Sequence, residues 1–309
     1  MPPPDAASAL LSAVRDDDPD ALSGDGAGVV VTRDAASRDD GGASSDGACD
    51  PMKGFGKASL LAGVNSLAGE FGVAISRDEL ELFLTKRDSQ NRQILHRATR
   101  PTLDASFSLP EPIVELSTPA LGVTISADGL ELFFSALPPP RRIFRTTRAT
   151  RTSPFRDPTI VVFPAWTSIA DDQPSLGPES QLLFSSSSSA GGQKDIYGAQ
   201  RDDAGAFRTP TPLASLNTLA DDETWPVAVA SNRSLFYASG NASASVIRES
   251  RRASSLEPYT PGTVVTFVNA NAISYPVAAS ADGCRLYFVM ENAQGGIGGA
   301  DVWVASRLQ

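Results

Sequence analysis

The chain has 309 residues, of which 20% are charged, and a formal net charge of -10. This length is sufficient to bury a large hydrophobic core. Lys and Arg form no basic cluster, so the composition gives no indication of nucleic-acid binding. No apolar run approaches the roughly 20 residues that a membrane-spanning helix requires, so we expect no transmembrane segment.

The acidic charge is concentrated near the N terminus. The first 50 residues contain eleven Asp, three Arg and no Glu, which gives them a net charge of -8. Residues 1–48 are rich in Ala, Asp, Ser and Gly, and such a composition cannot bury enough apolar surface to offset the conformational entropy of the chain. We predict a disordered acidic leader or linker over residues 1–48 and one folded domain over residues 49–309. The N terminus lacks the basic region and the long apolar stretch of a secretory signal peptide, so we predict none in this sequence.

The folded part is organised by a repeated hairpin, of which residues 123–135 are the clearest copy. Two short apolar runs flank Asp128-Gly129. An Asp-Gly pair between such runs is a strong β-hairpin signal, because Gly accepts a positive φ. The copies recur at a spacing of about 50 residues, as in propeller blades. Their first strands are predicted at residues 73–76, 123–126, 174–177, 226–230 and 276–280.

Two further strands follow the hairpin in each repeat. Third strands that end on Arg are predicted at residues 94–100, 143–148, 195–201, 246–251 and 301–307. Weaker fourth strands are predicted at residues 113–116, 159–163, 211–214 and 263–267. No segment shows sustained helical periodicity, and Pro and Gly lie at the strand starts and in the turns between strands. The pattern predicts an all-β, five-bladed β-propeller of four-stranded antiparallel blades, with six blades as the alternative.

The repeat also resembles a known family. Ser126-Ala127-Asp128-Gly129, the following Leu132-Phe133-Phe134-Ser135, and Asp195-Ile196-Tyr197 are similar to the TolB-type, WD-repeat-like propeller repeat. In that repeat a strand ends in Ser-Pro-Asp-Gly, a second ends in Phe-Ser and a third begins with Asp-Ile-Tyr. The resemblance covers roughly residues 55–307. It implies the propeller fold but no particular activity, since such propellers perform unrelated functions.

The two ends of the folded part are expected to meet. The last repeat has three predicted strands, whereas a strand-like run at residues 57–62 has no repeat of its own. We predict that this N-terminal run completes the last blade, because both strands would otherwise expose a free edge.

The same closure would bring Cys49 and Cys284, the only two cysteines, onto one blade. A disulfide and two free thiols are both open alternatives. A disulfide would indicate the periplasm, the cell surface or the extracellular space, whereas free thiols would suit the cytoplasm.

Three carboxylates are candidates for a site at the mouth of the central channel. Glu70, Asp172 and Glu223 each precede the first strand of a blade, and Trp225 and Tyr275 stand near the same rim. Carboxylates from separate blades suit glycoside hydrolysis. Oxygen ligands would also suit a Ca²⁺ ion. The third alternative is that these side chains only cap turns.

No recognised catalytic constellation occurs in the sequence, so we assign no catalytic residue. His96 is the single histidine, and with two cysteines it cannot complete a usual zinc ligand set. The Gly-rich residues 295–299 lack the Lys and the following helix of a phosphate-binding loop. Apart from the Ca²⁺ alternative, no cofactor is expected.

The sequence therefore favours a non-enzymatic, monomeric propeller that binds a protein or a glycan at the channel face. The alternatives are a glycoside hydrolase that uses the channel-mouth carboxylates and a purely structural surface domain. The arginines that end the third strands are expected to point toward solvent and to form weak local ion pairs. They are Arg100, Arg148, Arg201, Arg251 and Arg307.

Overall fold

The computed structural model describes residues 49–136, 140–187, 192–231, 233–241, 243–266 and 273–309. The predicted leader over residues 1–48 lies outside these described residues. The described strands form five four-stranded antiparallel sheets, which confirms the five-bladed propeller. No helix in the described ranges is long and apolar enough to cross a membrane.

The strands follow one another in the order of the predicted repeats. The short strand β1 (Ser59–Leu60) precedes the first complete repeat. Blade one contains β2 (Glu70–Ile75), β3 (Glu81–Arg87), β4 (Gln93–Thr99) and β5 (Glu111–Pro112). Blade two contains β6 (Ala120–Ile125), β7 (Glu131–Ala136), β8 (Arg142–Thr147) and β9 (Thr159–Ile160). Blade three contains β10 (Ala170–Leu176), β11 (Gln181–Ser187), β12 (Asp195–Gln200) and β13 (Thr211–Pro212).

The last two blades continue this pattern. Blade four contains β14 (Asp222–Ala228), β15 (Ser234–Asn241), β16 (Ala244–Arg251) and β17 (Thr263–Val264). Blade five contains β18 (Ile273–Ala279), β19 (Arg285–Glu291) and β20 (Ala300–Ser306). The fourth strands are shorter than predicted, and Val114–Leu116 forms a 3-10 helix where a strand was expected.

The core lies between successive blades. One apolar cluster joins Phe83 and Leu95 of blade one to Val123, Leu132 and Phe134 of blade two. The second strands are therefore covered by neighbouring blades on both faces, which explains why their apolar residues do not alternate with polar ones. The innermost strands contact one another in sequence around the ring, and β18 contacts β2.

The ring closes as predicted. Strand β1 pairs with β20, and Ser59 lies opposite Val304 and Leu60 opposite Trp303. Phe55 forms a further antiparallel bridge with Arg307. The N-terminal strand thus supplies the fourth strand of blade five and covers the edge that β20 would otherwise expose.

A disulfide joins Cys49 to Cys284, with 5.9 Å between their Cα atoms. Of the two alternatives for the cysteines, the structure contains the pair. Disulfides persist in oxidising compartments, so this bond is compatible with a location outside the cytoplasm.

The hairpin turns have the backbone conformation and hydrogen bonds that the repeated turn sequences predict. In blade two the Ser126 hydroxyl donates to Asp128 Oδ1 at 2.6 Å, and Gly129 has a φ of +76°. In blade one Glu79 occupies the glycine position at a φ of +57°. A left-handed conformation is uncommon for a residue with a Cβ atom. Arg285 and Tyr287 of blade five bind the Glu79 carboxylate, so contacts with the neighbouring blade stabilise this residue.

Candidate functional site at the two mouths of the channel

The innermost strands define two mouths of the central channel. Cross-strand pairs show that Glu70, Ala120, Asp171, Glu223 and Ser274 are equivalent positions near the starts of these strands. We call this end the N-terminal mouth. The opposite end, the C-terminal mouth, is formed by the strand ends at Ile75, Ile125, Leu176, Ala228 and Ala279.

Glu70 and Glu223 at the N-terminal mouth are both 0% exposed. Glu70 accepts hydrogen bonds from the backbone N–H and the hydroxyl of Ser66, at 3.0 and 2.6 Å. Glu223 accepts the equivalent two bonds from Thr218, both at 2.9 Å. Burial raises the pKa of each carboxyl group, and these hydrogen bonds partly oppose the rise. Each carboxyl group therefore anchors the loop that enters its own blade.

Asp171, and not Asp172, occupies the position of these two glutamates in blade three. Asp171 accepts hydrogen bonds from the Ser186 hydroxyl at 2.8 Å and from the Trp166 indole at 3.2 Å. No local sequence signal distinguishes Asp171 from Asp172, so this one-residue offset was not predicted. Each innermost strand contains a β-bulge, here between Asp172 and Ser175, and a bulge redirects the side chains around it.

Asp172 lies in a different environment from the other two candidates. Its Oδ2 accepts hydrogen bonds from Arg141 at 2.7 Å and from Lys194 at 3.1 Å. Its Oδ1 is buried and has no partner among the described residues. The Lys194 carbonyl also accepts the Glu223 backbone N–H at 2.8 Å. Lys194 thus connects Asp172 of blade three to Glu223 of blade four.

The three predicted carboxylates do not contact one another directly. Within the described residues, no hydrogen bond or ion pair joins any two of Glu70, Asp172 and Glu223. Lys194 contacts both Asp172 and Glu223. The Glu70 carboxylate is bound instead by Ser66 and by Lys86. The described part of the chain also contains no group of three or more His, Cys, Asp or Glu side chains that could hold a metal ion.

Trp225 and Tyr275, the two aromatic candidates, do lie together. Their rings are stacked with centroids 4.5 Å apart and an interplanar angle of 18°. Tyr275 is buried and hydrogen-bonded to Glu291, and burial raises the pKa of both groups. Trp225 packs against the apolar cluster that contains Tyr275. The pair therefore joins blade four to blade five.

Between the two mouths, the innermost strands of blades one to three approach closely. A Cβ atom on Gly72 would lie 2.4 Å from the Leu121 carbonyl oxygen, and one on Gly122 would lie 2.6 Å from Gln173 Cα. The Thr85 hydroxyl accepts the Gly72 N–H at 2.9 Å and donates to the Leu121 carbonyl at 3.0 Å. Only glycine fits where two backbones are this close.

A cavity of about 480 Å³ opens at the C-terminal mouth. All five innermost strands contribute small or aliphatic side chains to its wall, and the charged residues Arg77, Glu131 and Arg201 complete the wall. A second cavity of about 590 Å³ adjoins it and shares Glu131, Ser180 and Arg201. The sequence candidates all belong to the other mouth, so this cavity was not predicted.

An arginine stacked on an aromatic ring recurs in every blade. The distances from guanidinium carbon to ring centroid are 4.5 Å for Arg100 and Phe107, 4.8 Å for Arg148 and Phe155, 4.8 Å for Arg201 and Phe207, 4.5 Å for Arg252 and Tyr259, and 4.3 Å for Arg307 and Phe55. Arg148 and Arg307 are buried, so the expectation that they point to solvent is wrong. In blade four the position belongs to Arg252 and not to Arg251. The recurring Arg–aromatic spacing could have revealed this in the sequence.

Fold and site together define a five-bladed β-propeller with carboxylates at one mouth and a cavity at the other. No model of a protein family and no curated protein matches the sequence. The fold is similar to that of an α-L-arabinofuranosidase from Podospora anserina solved in complex with cellotriose, with a TM-score of 0.54, 10% identity, and coverage of 84% of this chain and 98% of that chain.

Two further solved structures match the chain. A family 117 glycoside hydrolase from Zobellia galactanivorans has a TM-score of 0.54 and 12% identity, and the match covers 84% of this chain and 91% of that chain. A putative TolB from Agrobacterium tumefaciens has 17% identity and a TM-score of 0.46, with coverage of 73% and 71%. At 10% and 12% identity, the likeness to the two glycoside hydrolases shows the fold alone.

The comparisons correct the functional interpretation of the sequence. A non-enzymatic binding or interaction domain was placed first, and a hydrolase was only an alternative. The structural neighbours with TM-scores of 0.54 are glycoside hydrolases, which favours the hydrolase alternative and contradicts the first interpretation.

Proposed function

We propose that the chain is a glycoside hydrolase whose reacting carboxyl groups are Asp172 and Glu223 at the N-terminal mouth. The observation that carries this proposal is the buried Oδ1 of Asp172, which has no partner among the described residues. Its neighbour Oδ2 is held by Arg141 and Lys194. A carboxylate fixed by two cations through one oxygen keeps the other oxygen without a protein partner. Because this oxygen is covered, a substrate reaches it only after a local opening of the N-terminal mouth.

Glu223 supplies the second group that glycoside hydrolysis requires. In this reaction one carboxylic acid protonates the leaving-group oxygen, and a carboxylate acts as nucleophile or as general base. Burial raises the pKa of Glu223, so it keeps its proton to a higher pH than a free glutamic acid does. This is the environment expected of a general acid. Lys194 binds the Asp172 carboxylate through its side chain and accepts the Glu223 backbone N–H through its carbonyl, and this link between the two residues supports their assignment to one site.

The proposed substrate class is an oligosaccharide, by analogy with the arabinofuranosidase that was solved with cellotriose. Trp225 follows Glu223 by two residues and is half-buried. A partly exposed aromatic ring offers an apolar face on which a sugar ring can stack. Such substrates are available outside the cell, and the disulfide fits the periplasm, the cell surface or the extracellular space. We take the resemblance to the TolB-type repeat as a likeness in blade architecture.

The test is hydrolysis of a panel of 4-nitrophenyl glycosides, including the α-L-arabinofuranoside and the β-D-xylopyranoside, and of xylo- and cello-oligosaccharides. Asp172→Asn and Glu223→Gln should each lower kcat/KM by about 100-fold or more. Glu111→Gln, an exposed position on β5, is the matched control and should keep full activity. The proposal is wrong if the wild-type protein hydrolyses none of the panel, or if both site variants keep the wild-type rate.

A further inference from the structure

Arg201 differs from the equivalent arginines in its hydrogen bonds. Arg100, Arg148 and Arg307 each donate Nε–H to a backbone carbonyl of the hairpin turn, at 2.7, 2.7 and 2.9 Å. Arg201 donates Nη1–H to Glu131 at 2.8 Å, but its Nε and Nη2 are buried without a hydrogen-bond partner among the described residues. A buried donor without an acceptor is energetically unfavourable, so these two groups require an explanation.

The difference originates in the turn of blade three. Blades two and five have a glycine with positive φ two residues before the second strand, at Gly129 and Gly283. Blade three has Pro178–Ser180 in a 3-10 helix instead, and its residue with positive φ is Ser180, directly before β11. The carbonyl that would accept the Nε–H of Arg201 is therefore not in place. Because blade three lacks this carbonyl, the Nε and Nη2 side of the Arg201 guanidinium has no acceptor. This is the side that can bind a second anion.

Arg201 also forms the wall shared by the two cavities of the C-terminal mouth. Arg77 lines the 480 Å³ cavity and is exposed. Its side chain makes no hydrogen bond or ion pair within the described part of the chain. Among the described residues that line the 480 Å³ cavity, Glu131 is the one acidic side chain, and Arg145 and Arg201 both bind it. The described wall therefore contains cationic donors without an acceptor and no carboxylate without a cationic partner.

The rest of the wall is apolar in character. Aliphatic and alanine side chains from all five blades line it, among them Ile75, Ile125, Leu176 and Val277. Several of the hydroxyl groups present are used within the protein. Thr124 accepts the Leu176 N–H at 3.1 Å, and Ser175 accepts the Ala228 N–H at 3.3 Å. A ligand body with many hydroxyl groups would find few partners here.

We propose that the C-terminal mouth binds a small organic carboxylate with a compact apolar body. The Nε–H and Nη2–H groups of Arg201 would form a two-pronged contact with the carboxylate, which is the geometry that a guanidinium offers to this anion. Arg77 would add charge at the entrance, and the aliphatic wall would enclose the body. Because the two N–H groups are covered, binding requires the Arg201 guanidinium to turn toward the cavity. A cavity of about 480 Å³ lies in the size range of small-molecule sites. This site is separate from the carboxylates of the proposed hydrolase and does not depend on them.

Titration of the full chain with benzoate and cyclohexanecarboxylate, monitored by saturation-transfer NMR and calorimetry, tests the site. Benzamide is the uncharged comparison, and inorganic phosphate is the anion without an apolar body. We expect saturable binding of both carboxylates, and no saturable binding of benzamide or phosphate. Arg201→Lys, which keeps the charge but loses the planar donor pair, should weaken benzoate binding by about tenfold or more.

Two further variants keep the test independent of folding defects. Arg77→Ala changes an exposed residue and should weaken benzoate binding about two- to fivefold, as expected for a partly screened charge. Arg100→Lys is the matched control, because its guanidinium already binds the carbonyls of Glu79 and Leu103, and binding should be unchanged. The proposal fails if neither carboxylate binds saturably, or if Arg201→Lys binds benzoate like the wild type. It also fails if phosphate or benzamide binds as tightly as benzoate.

Discussion

The guanidinium of Arg307 lies 4.3 Å from the ring centroid of Phe55. Arg307 also donates hydrogen bonds to the carbonyls of Gly283 and Lys53 and to the carboxylate of Glu249. One buried side chain near the C-terminal end of the chain thus contacts the N-terminal segment, blade five and blade four. Closure of the ring depends on this cluster as well as on the two-residue pairing of β1 with β20.

The first prediction concerns Phe55. Phe55→Ala should lower the free energy of unfolding by about 3–5 kcal/mol, the usual cost of removing a buried phenylalanine ring. Phe55 is buried against Phe236 of blade four, with ring centroids 5.8 Å apart, so the loss should affect the whole ring. Urea denaturation followed by tryptophan fluorescence measures the change. Leu109→Ala, at a side chain that is 81% exposed, is the control and should stay within about 0.5 kcal/mol. Equal stability of Phe55→Ala and wild type would contradict the role of this residue in closure.

The second prediction concerns the disulfide between Cys49 and Cys284, which closes a loop with a sequence separation of 235 residues. The loop-entropy relation assigns about 5.5 kcal/mol to a loop of this length. The double variant Cys49→Ser/Cys284→Ser should therefore melt at a lower temperature than the oxidised protein. It should melt like the wild-type protein after reduction. Intact mass under non-reducing conditions checks the bond directly, and two thiols that react with an alkylating reagent in the native protein would disprove it.

The third prediction compares two arginines that bind the same carboxylate. Arg148 and Glu81 have side chains that are 1% and 3% exposed, and they lie 2.8 Å apart. Arg151 reaches Glu81 at 3.3 Å, but its side chain is 41% exposed. Arg148→Ala removes the buried cation beside Glu81 and leaves this carboxylate with Arg97 and Arg151, which are both partly exposed, so it should cost about 3 kcal/mol. Arg151→Ala should cost about 1 kcal/mol or less. Chemical denaturation of both variants decides this, and similar costs for the two would show that burial does not control the strength of the pair.

The fourth prediction is a pH dependence at Glu223. Burial raises the pKa of this carboxyl group in the folded protein above the ordinary value of 4.5 for glutamic acid. A raised folded-state pKa means that the folded state binds the proton more tightly than the unfolded state does. The stability contributed by the group is therefore full below the unfolded-state pKa and is lost as the pH rises through the folded-state pKa. The glutamine in Glu223→Gln does not titrate. The difference in melting temperature, variant minus wild type, should therefore increase from pH 4 to pH 8, a range of about four pH units around these two pKa values. A constant or decreasing difference over this range would contradict the raised pKa.

Much of the fold could be predicted because each blade repeats its own local signals. The Asp-Gly turn at Asp128-Gly129 has the positive φ that the dipeptide predicts. The unpaired strand near Ser59 and the incomplete last repeat together predicted the closure. These inferences depend on local turn chemistry and on the need to cover strand edges, and both can be assessed from sequence.

The candidate site was harder to predict because it depends on register. A β-bulge shifts side chains by one position, and nothing in the run Asp171-Asp172-Gln173 shows which of the two aspartates corresponds to Glu70. Arg201 provides a second example. Its sequence context matches that of the other third-strand arginines, and its free donors result from a turn in a different strand. Contacts between distant segments determine both properties.

The disulfide also determines how the folded ring would respond to mechanical tension. Cys49 lies before β1, and Cys284 lies at the start of the second strand of blade five. A force applied between residue 49 and the C terminus would pass through the covalent bond directly into the final hairpin. Residues 50–283, and with them blades one to four, lie outside this covalent path until the disulfide breaks. The load would fall instead on β19 and β20 and on the pairing of β20 with β1. The bond thus confines tension applied at these two points to the last blade.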